Sequence, residues 1–157
     1  MKITLIAIGK TEDKYLIEGI EKYINRLKHY INFTFLPLPD VKNVKNLSEA
    51  QQKAKEAELL HKQINNGDVV ILLDEKGKKY SSVEFSNYLN KQMIGSVQHL
   101  IFIIGGPYGF DETIYKRANG LISLSDMTFS HQMIRLFFVE QLYRGFSILK
   151  GEPYHHA

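Results

Sequence analysis

Apolar runs of about five to seven residues recur along this chain with amphipathic stretches between them, and that alternation constrains the fold more than any other feature. A strand that is apolar throughout is buried on both faces, so helices must cover it on both sides. The pattern specifies an α/β domain with a parallel sheet flanked by helices. The first strand is Lys2 to Ile8. Thr11 is placed to cap a helix in which Tyr15, Leu16, Ile20, Tyr23, Ile24 and Leu27 repeat every three or four residues. The second strand is about Phe33 to Leu38, and Pro37 and Pro39 push it to a sheet edge or an early end, because proline cannot donate to a ladder. Ser48 with Gln51, and Ser81 with Glu84, have capping-box spacing and start two further helices, with a third strand, Asp68 to Asp74, between them. His99 to Ile104 is nearly uninterrupted and belongs at the sheet centre. Asp111 caps a short helix, Leu121 to Leu124 is a fifth strand, and a last helix runs from about His131 to Leu149 before Gly151 and Pro153 stop it.

The length, 157 residues with 44% apolar side chains, suits one core, so a single domain over 1–157 is expected. Cysteine is absent, which excludes disulfides, a thiolate nucleophile and cysteine-ligated metal sites, and fits a cytoplasmic location. The run Ile3 to Ile8 is interrupted by Lys10, Glu12 and Asp13 without a small-residue cleavage site and reads as a buried strand, not a signal peptide. No apolar stretch approaches the ~20 residues that span a bilayer, so a soluble protein with no membrane partner is expected. A net charge of +3 permits an RNA partner without demanding one. The densest basic run, Lys42 to Lys62, is interleaved with Glu49, Glu56 and Glu58, as on a solvated helix face.

The last helix is apolar over more of its circumference than one stripe requires, through Met133, Ile134, Leu136, Phe137, Phe138, Val139, Leu142, Tyr143 and Phe146. Either it is central to the domain, or its second face meets another subunit about a two-fold axis.

Ligands of open parallel sheets settle beyond the carboxyl ends of the strands. Three loops fall there: Leu73-Asp74, Gly105 to Gly109, and Ser123 to Phe129. The glycine loop serves a tight turn or a close ligand equally well. It lacks the third glycine of the dinucleotide fingerprint and the Gly-Lys-Ser/Thr of a phosphate loop, which disfavours a dehydrogenase or an ATPase. No metal is expected, since the histidines lack ligand spacing, and no serine lies in a Gly-x-Ser-x-Gly elbow. Methyl transfer from a sulfonium needs neither a metal nor a protein nucleophile; alignment and removal of one proton suffice.

Four ordered blocks make the chain specific. They are Phe102-Ile103-Ile104-Gly105-Gly106-Pro107-Tyr108-Gly109; Leu121 through Arg135, including Ser123-Leu124-Ser125-Asp126-Met127-Thr128-Phe129; Glu140-Gln141-Leu142-Tyr143-Arg144; and Gly151-Glu152-Pro153-Tyr154-His155. With the opening Met1-Lys2-Ile3-Thr4 through Gly9-Lys10, these resemble the RlmH (YbeA) family of SPOUT methyltransferases over essentially the whole chain. The resemblance implies a deep C-terminal trefoil knot, a homodimer, and methylation at N3 of a pseudouridine in large-subunit ribosomal RNA on the assembled ribosome. It further implies S-adenosylmethionine held by Leu73, Gly105, Leu124, Ser125, Asp126, Met127, Thr128 and Phe129, largely through backbone groups.

Carried onto matching positions, His131, Arg144, Tyr154 and His155 are the catalytic candidates. Arg144 suits a phosphate or the base, with an ion pair to Glu140 as its alternative. Tyr154 suits stacking on a flipped base. His155 or His131 suits acceptance of the N3 proton, a task that water or the RNA could also take. The chain departs from the common family pattern at Asp126, at Ser130 in place of a frequent proline, and at a His156-Ala157 ending in place of a basic residue. Rival readings are a non-catalytic ribosome-binding protein of the same fold, a nucleotide-binding oxidoreductase or regulator, and a transfer-RNA methyltransferase. Few basic contacts in the domain imply that recognition uses ribosomal surface beyond the target loop.

Overall fold

Five strands pair side by side in parallel, in the order β2-β1-β4-β3-β5: β1 (Lys2–Ile8), β2 (Asn32–Leu38), β3 (Val69–Lys79), β4 (His99–Ile104) and β5 (Gly120–Ser123). They are joined by α1 (Lys14–Leu27), α2 (Glu49–His61), α3 (Ser82–Ile94), α4 (Glu112–Arg117) and α5 (Met133–Leu149). The computed structural model describes residues 1–156; Ala157, the end of the expected domain and tail, lies outside the described residues.

Side-chain alternation along the strands creates two cores. Ile3, Leu5 and Ala7 of β1 and Leu100, Phe102 and Ile104 of β4 pack beneath α1, α3 and α5, against Leu27, Phe85 and Phe138. Ile6, Ile8, Ile101 and Ile103 point the other way, with Val70 and Leu72, towards Leu60 of α2 and Ile114 of α4. Strand β4 is central and fully flanked, which accounts for its unbroken apolar composition. The proline-bearing β2 is an edge strand. Both capping boxes form: the Ser48 and Ser81 hydroxyls accept from Gln51 and Glu84 amides at 3.1 Å, and each partner's side chain accepts in return from the cap amide. Among the described residues, no helix is long and apolar enough to cross a membrane.

Three expectations change. Asp13, not Thr11, occupies the N-cap of α1, and it makes no side-chain cap bond. Strand β3 runs five residues past Asp74 to Lys79, because after a break between Leu73 and Lys78 it pairs again with Ile122 and Ser123 of β5. The last helix begins at Met133, two residues after His131, its first turn closed by the Ser130 hydroxyl accepting from the Met133 amide at 3.0 Å. That helix is central to the domain, packed against both α1 and α3, while Phe137 on its other side remains 40% exposed and touches Phe129.

Thr11 is used instead by Arg135. This arginine of α5 is 0% exposed. Its Nη1 donates to the Gly9 carbonyl at 2.8 Å and to Thr11 Oγ1 at 3.1 Å, Nη2 to the Ile8 carbonyl at 2.9 Å, and Nε to the His131 carbonyl at 3.0 Å. Burial weakens the guanidinium's hold on its proton, and the carboxylates of Asp40 and Glu12 oppose that effect. A planar fork of donors matched by fixed acceptors is the form in which a buried cation is tolerated. The bonds tie the end of β1 to the first turn of α5.

Glu56 of α2 is the other deeply buried charge-bearing side chain. Its carboxyl lies where a side chain on Gly106 would come within 2.5 Å, and it accepts from Gln52 Nε2 at 3.3 Å. Burial pushes this carboxyl above the usual glutamate range; the Gln52 bond offsets part of the rise, and the charge of Asp40 adds to it.

Arg135→Ala is expected to destabilise the fold by about 3 kcal/mol, since it strands the two buried carbonyl groups of Ile8 and Gly9; urea unfolding measures it. For Glu56 the folded state holds its proton more tightly than the unfolded chain. Its contribution to stability is therefore undiminished below the ordinary value of 4.5 and is lost as pH rises above it. Glu56→Gln should match the wild type in stability near pH ~4 and gain on it progressively towards pH ~7, in paired urea titrations.

Candidate functional site

Where β4 and β5 end and β3 breaks from its ladder after Leu73, the chain encloses a cavity of about 460 Å³. It forms because the strands are parallel: the carboxyl ends of β4 and β5 come out on one edge beside the break in β3, and the chain turns away from each. All eight residues expected at the cofactor line it: Leu73 from β3, Gly105 from the loop after β4, and Leu124, Ser125, Asp126, Met127, Thr128 and Phe129 from the loop after β5. Cavities of this volume hold drug-sized ligands.

The glycine loop closes on itself as a turn in which the Gly109 amide donates to the Gly106 carbonyl at 3.1 Å. Gly109 has φ of +82°, a conformation that suits glycine. The loop after β5 is shaped by its serines. Ser123 Oγ donates to the Ser125 carbonyl at 3.0 Å, and Ser125 Oγ accepts from the Met127 amide at 2.9 Å. Asp126 reaches out to an ion pair with Lys79, and Met127 is 76% exposed at the rim. Gln132, just before α5, accepts from the Glu12 amide at 2.9 Å and donates to the Lys10 carbonyl at 3.1 Å, which holds this loop to the one after β1. The lining supplies backbone groups, a few hydroxyls, apolar walls and the charged side chains of Asp74, Glu75, Lys76 and Asp126. Among the described residues no cluster of side chains could hold a metal ion.

Two residues that sequence reasoning left without a role stand in the cavity wall. Asp74 accepts from the Tyr115 hydroxyl at 2.5 Å and from the Lys76 amide at 2.8 Å. Burial pushes the Tyr115 phenol up to about 12, and the bond to Asp74 contributes to the rise. Tyr115 sits on the one-and-a-half-turn helix capped by Asp111, whose side chain accepts from the Thr113 amide at 3.0 Å. Only that cap was legible beforehand; nothing in the spacing from 74 to 115 signals the contact.

The four catalytic candidates divide between two places. His131 lines the cavity at the foot of α5, exposed, with no side-chain hydrogen bond among the described residues. Arg144, Tyr154 and His155 form a separate cluster at the far end of the same helix. Arg144 Nη2 pairs with Glu140 Oε1 at 2.5 Å, Nη1 donates to His155 Nδ1 at 3.0 Å, and the guanidinium lies 4.7 Å from the Tyr154 ring centre. The Tyr154 hydroxyl donates to Glu140 Oε1 at 2.8 Å and therefore accepts from Tyr23, 3.2 Å away. The Glu140 bond raises the Arg144 pKa, and burial together with Tyr23 and Glu140 raises that of Tyr154. The ion pair weighed as an alternative for Arg144 is thus present, while the guanidinium still borders the tail. Because Nδ1 of His155 accepts from Arg144, Nε2 carries the proton of the neutral ring. The lone pair that an acid–base role requires is engaged.

With this geometry in place, comparison with known proteins is direct. A family model described as "Predicted SPOUT methyltransferase" matches residues 1–155. Proteins named "Ribosomal RNA large subunit methyltransferase H" from Flavobacterium johnsoniae, Parabacteroides distasonis and Christiangramia forsetii are 62%, 60% and 59% identical to it, each over 99% of both chains. The cavity at the ends of β4 and β5 and the break in β3, the serine-shaped loop beside it and the full-length match agree, and the chain belongs to the SPOUT methyltransferase family.

Proposed function

We propose that the chain is an S-adenosylmethionine-dependent enzyme of the cytoplasm that methylates N3 of a pseudouridine in large-subunit ribosomal RNA within the ribosome. The observation that carries the reading is that every residue expected at the cofactor lines one cavity at the carboxyl edge of the sheet. The relatives' names supply the RNA class. Bound in the cavity, S-adenosylmethionine would supply a methyl whose carbon–sulfur electron pair stays on sulfur as the carbon joins N3, with the N3 proton passing to a base.

The protein's part is to hold, orient and accept a proton. Leu73, Gly105 and residues 124–129 offer backbone groups at the cavity. His131, whose ring makes no hydrogen bond among the described residues and which stands at the cavity edge, is the acceptor best placed within one chain. Tyr154 and Arg144 offer a stacking face and a cation to the target nucleotide.

A single chain cannot bring these groups together. Arg144 lies eleven residues along α5 from Met133, roughly 17 Å at 1.5 Å of rise per residue, and His131 precedes that helix by two residues. A homodimer with two copies of α5 packed antiparallel would place the tail cluster of one subunit beside the cavity of the other. The exposed Phe137 and Phe129 stand ready to be covered by that contact. The C-terminal knot implied by the family is part of the same proposal, as α5 returns to the end of β1 through Arg135.

The test is transfer of labelled methyl to intact ribosomes, free ribosomal RNA and transfer RNA, with the product nucleoside identified by mass spectrometry. N3-methylpseudouridine from ribosomes supports the reading; label in transfer RNA alone, or none anywhere, counts against it. Tyr154→Ala and Arg144→Ala should each lower turnover by about two orders of magnitude while leaving affinity for S-adenosylmethionine within about twofold. Co-refolding a cavity-deficient variant with a tail-deficient one should recover about a quarter of wild-type activity, because half of randomly paired dimers carry one intact site of two.

A further inference from the structure

Asp74 is the fixed charge of the cavity. Three carboxylates line the wall, those of Asp74, Glu75 and Asp126, against one ammonium, that of Lys76. They are not equivalent. Asp126 is engaged outside by Lys79, and Glu75 is exposed to solvent. Asp74 is half-buried and immobilised by two donors from opposite sides, the Tyr115 hydroxyl at 2.5 Å and the Lys76 amide at 2.8 Å. Each of its oxygens accepts one bond and retains a lone pair. A charge held still in a partly dehydrated wall acts on a ligand with less screening than a mobile surface carboxylate does.

The chemistry of the proposed reaction gives that charge something to distinguish. S-Adenosylmethionine carries a sulfonium, and S-adenosylhomocysteine, otherwise almost the same molecule, carries a neutral thioether. Backbone groups that bind the adenosine and the amino-acid end treat the two alike. A fixed negative charge does not.

We propose that Asp74, held by Tyr115, is a specificity-determining residue that biases the cavity towards the cationic methyl donor and against its neutral product. The inference rests on the reading that this cavity holds S-adenosylmethionine, and it assigns Tyr115, remote in sequence, the task of positioning the carboxylate. Selection of this kind favours exchange of spent product for donor.

Isothermal titration of wild type, Asp74→Asn and Tyr115→Phe with each of the two ligands tests this without relying on turnover. In Asp74→Asn the ratio of the product's Kd to the donor's Kd is expected to fall about fivefold from the wild-type ratio. Tyr115→Phe, which frees the carboxylate but keeps its charge, should lower the ratio by about twofold. A merely structural role for the pair would weaken both ligands equally and leave the ratio unchanged; that outcome overturns the inference while the cofactor reading stands. Binding of neither ligand to folded wild type overturns the cofactor reading and this inference with it.

Discussion

One buried guanidinium holds the functional edge of this molecule together. Arg135 takes up the last carbonyls of β1 and the carbonyl of His131 at once, so the end of a central strand, the start of α5 and the loop leading into it share one set of hydrogen bonds. Hydrophobic packing is tolerant of small displacements, whereas a planar fork of donors is directional and fixes orientation as well as distance. The cavity loop after β5 lies between two such anchors, Arg135 on one side and the Ser123–Ser125 bonds on the other.

The arrangement divides labour between parts of the sheet. Strands β1 and β4 are packed on both faces and supply rigidity, while β3 and β5 supply the cavity wall and continue beyond it. The interruption of β3 after Leu73 serves that division. It lets Asp74 leave the ladder and face the cavity, then returns the strand to pairing at Lys78 and Lys79.

What could be read in the chain beforehand follows from how local each interaction is. Both capping boxes, the edge position of β2 and the central position of β4 were legible because serine with glutamine or glutamate three residues on, proline in a strand, and an unbroken apolar run each express their structural meaning within a few residues. The eight cavity residues were legible because loops after parallel strands converge and because the ordered motif blocks are specific. Arg135 was not, since its partners lie 126 and 127 residues away and are backbone carbonyls, which have no sequence identity. Thr11 was misassigned for the same reason: its hydroxyl serves a distant guanidinium instead of the adjacent helix. Nor does spacing reveal the separate surroundings of His131, at the cavity, and Arg144, in a cluster with Glu140, Tyr154 and His155, although both sit in recognisable motif blocks.

The strand order has a consequence for synthesis. Strand β1, apolar from Ile3 to Ile8, is made first, yet its inner neighbour β4 begins at His99 and the donors that satisfy its last carbonyls arrive only with Arg135. At roughly 5–20 residues per second of translation, that leaves the strand without its inner neighbour for on the order of ten seconds. During that interval β2 covers only the outer edge of β1, and the inner edge that β4 later takes stays open; the prolines near Leu38 guard the outer side of β2, the border of the finished sheet.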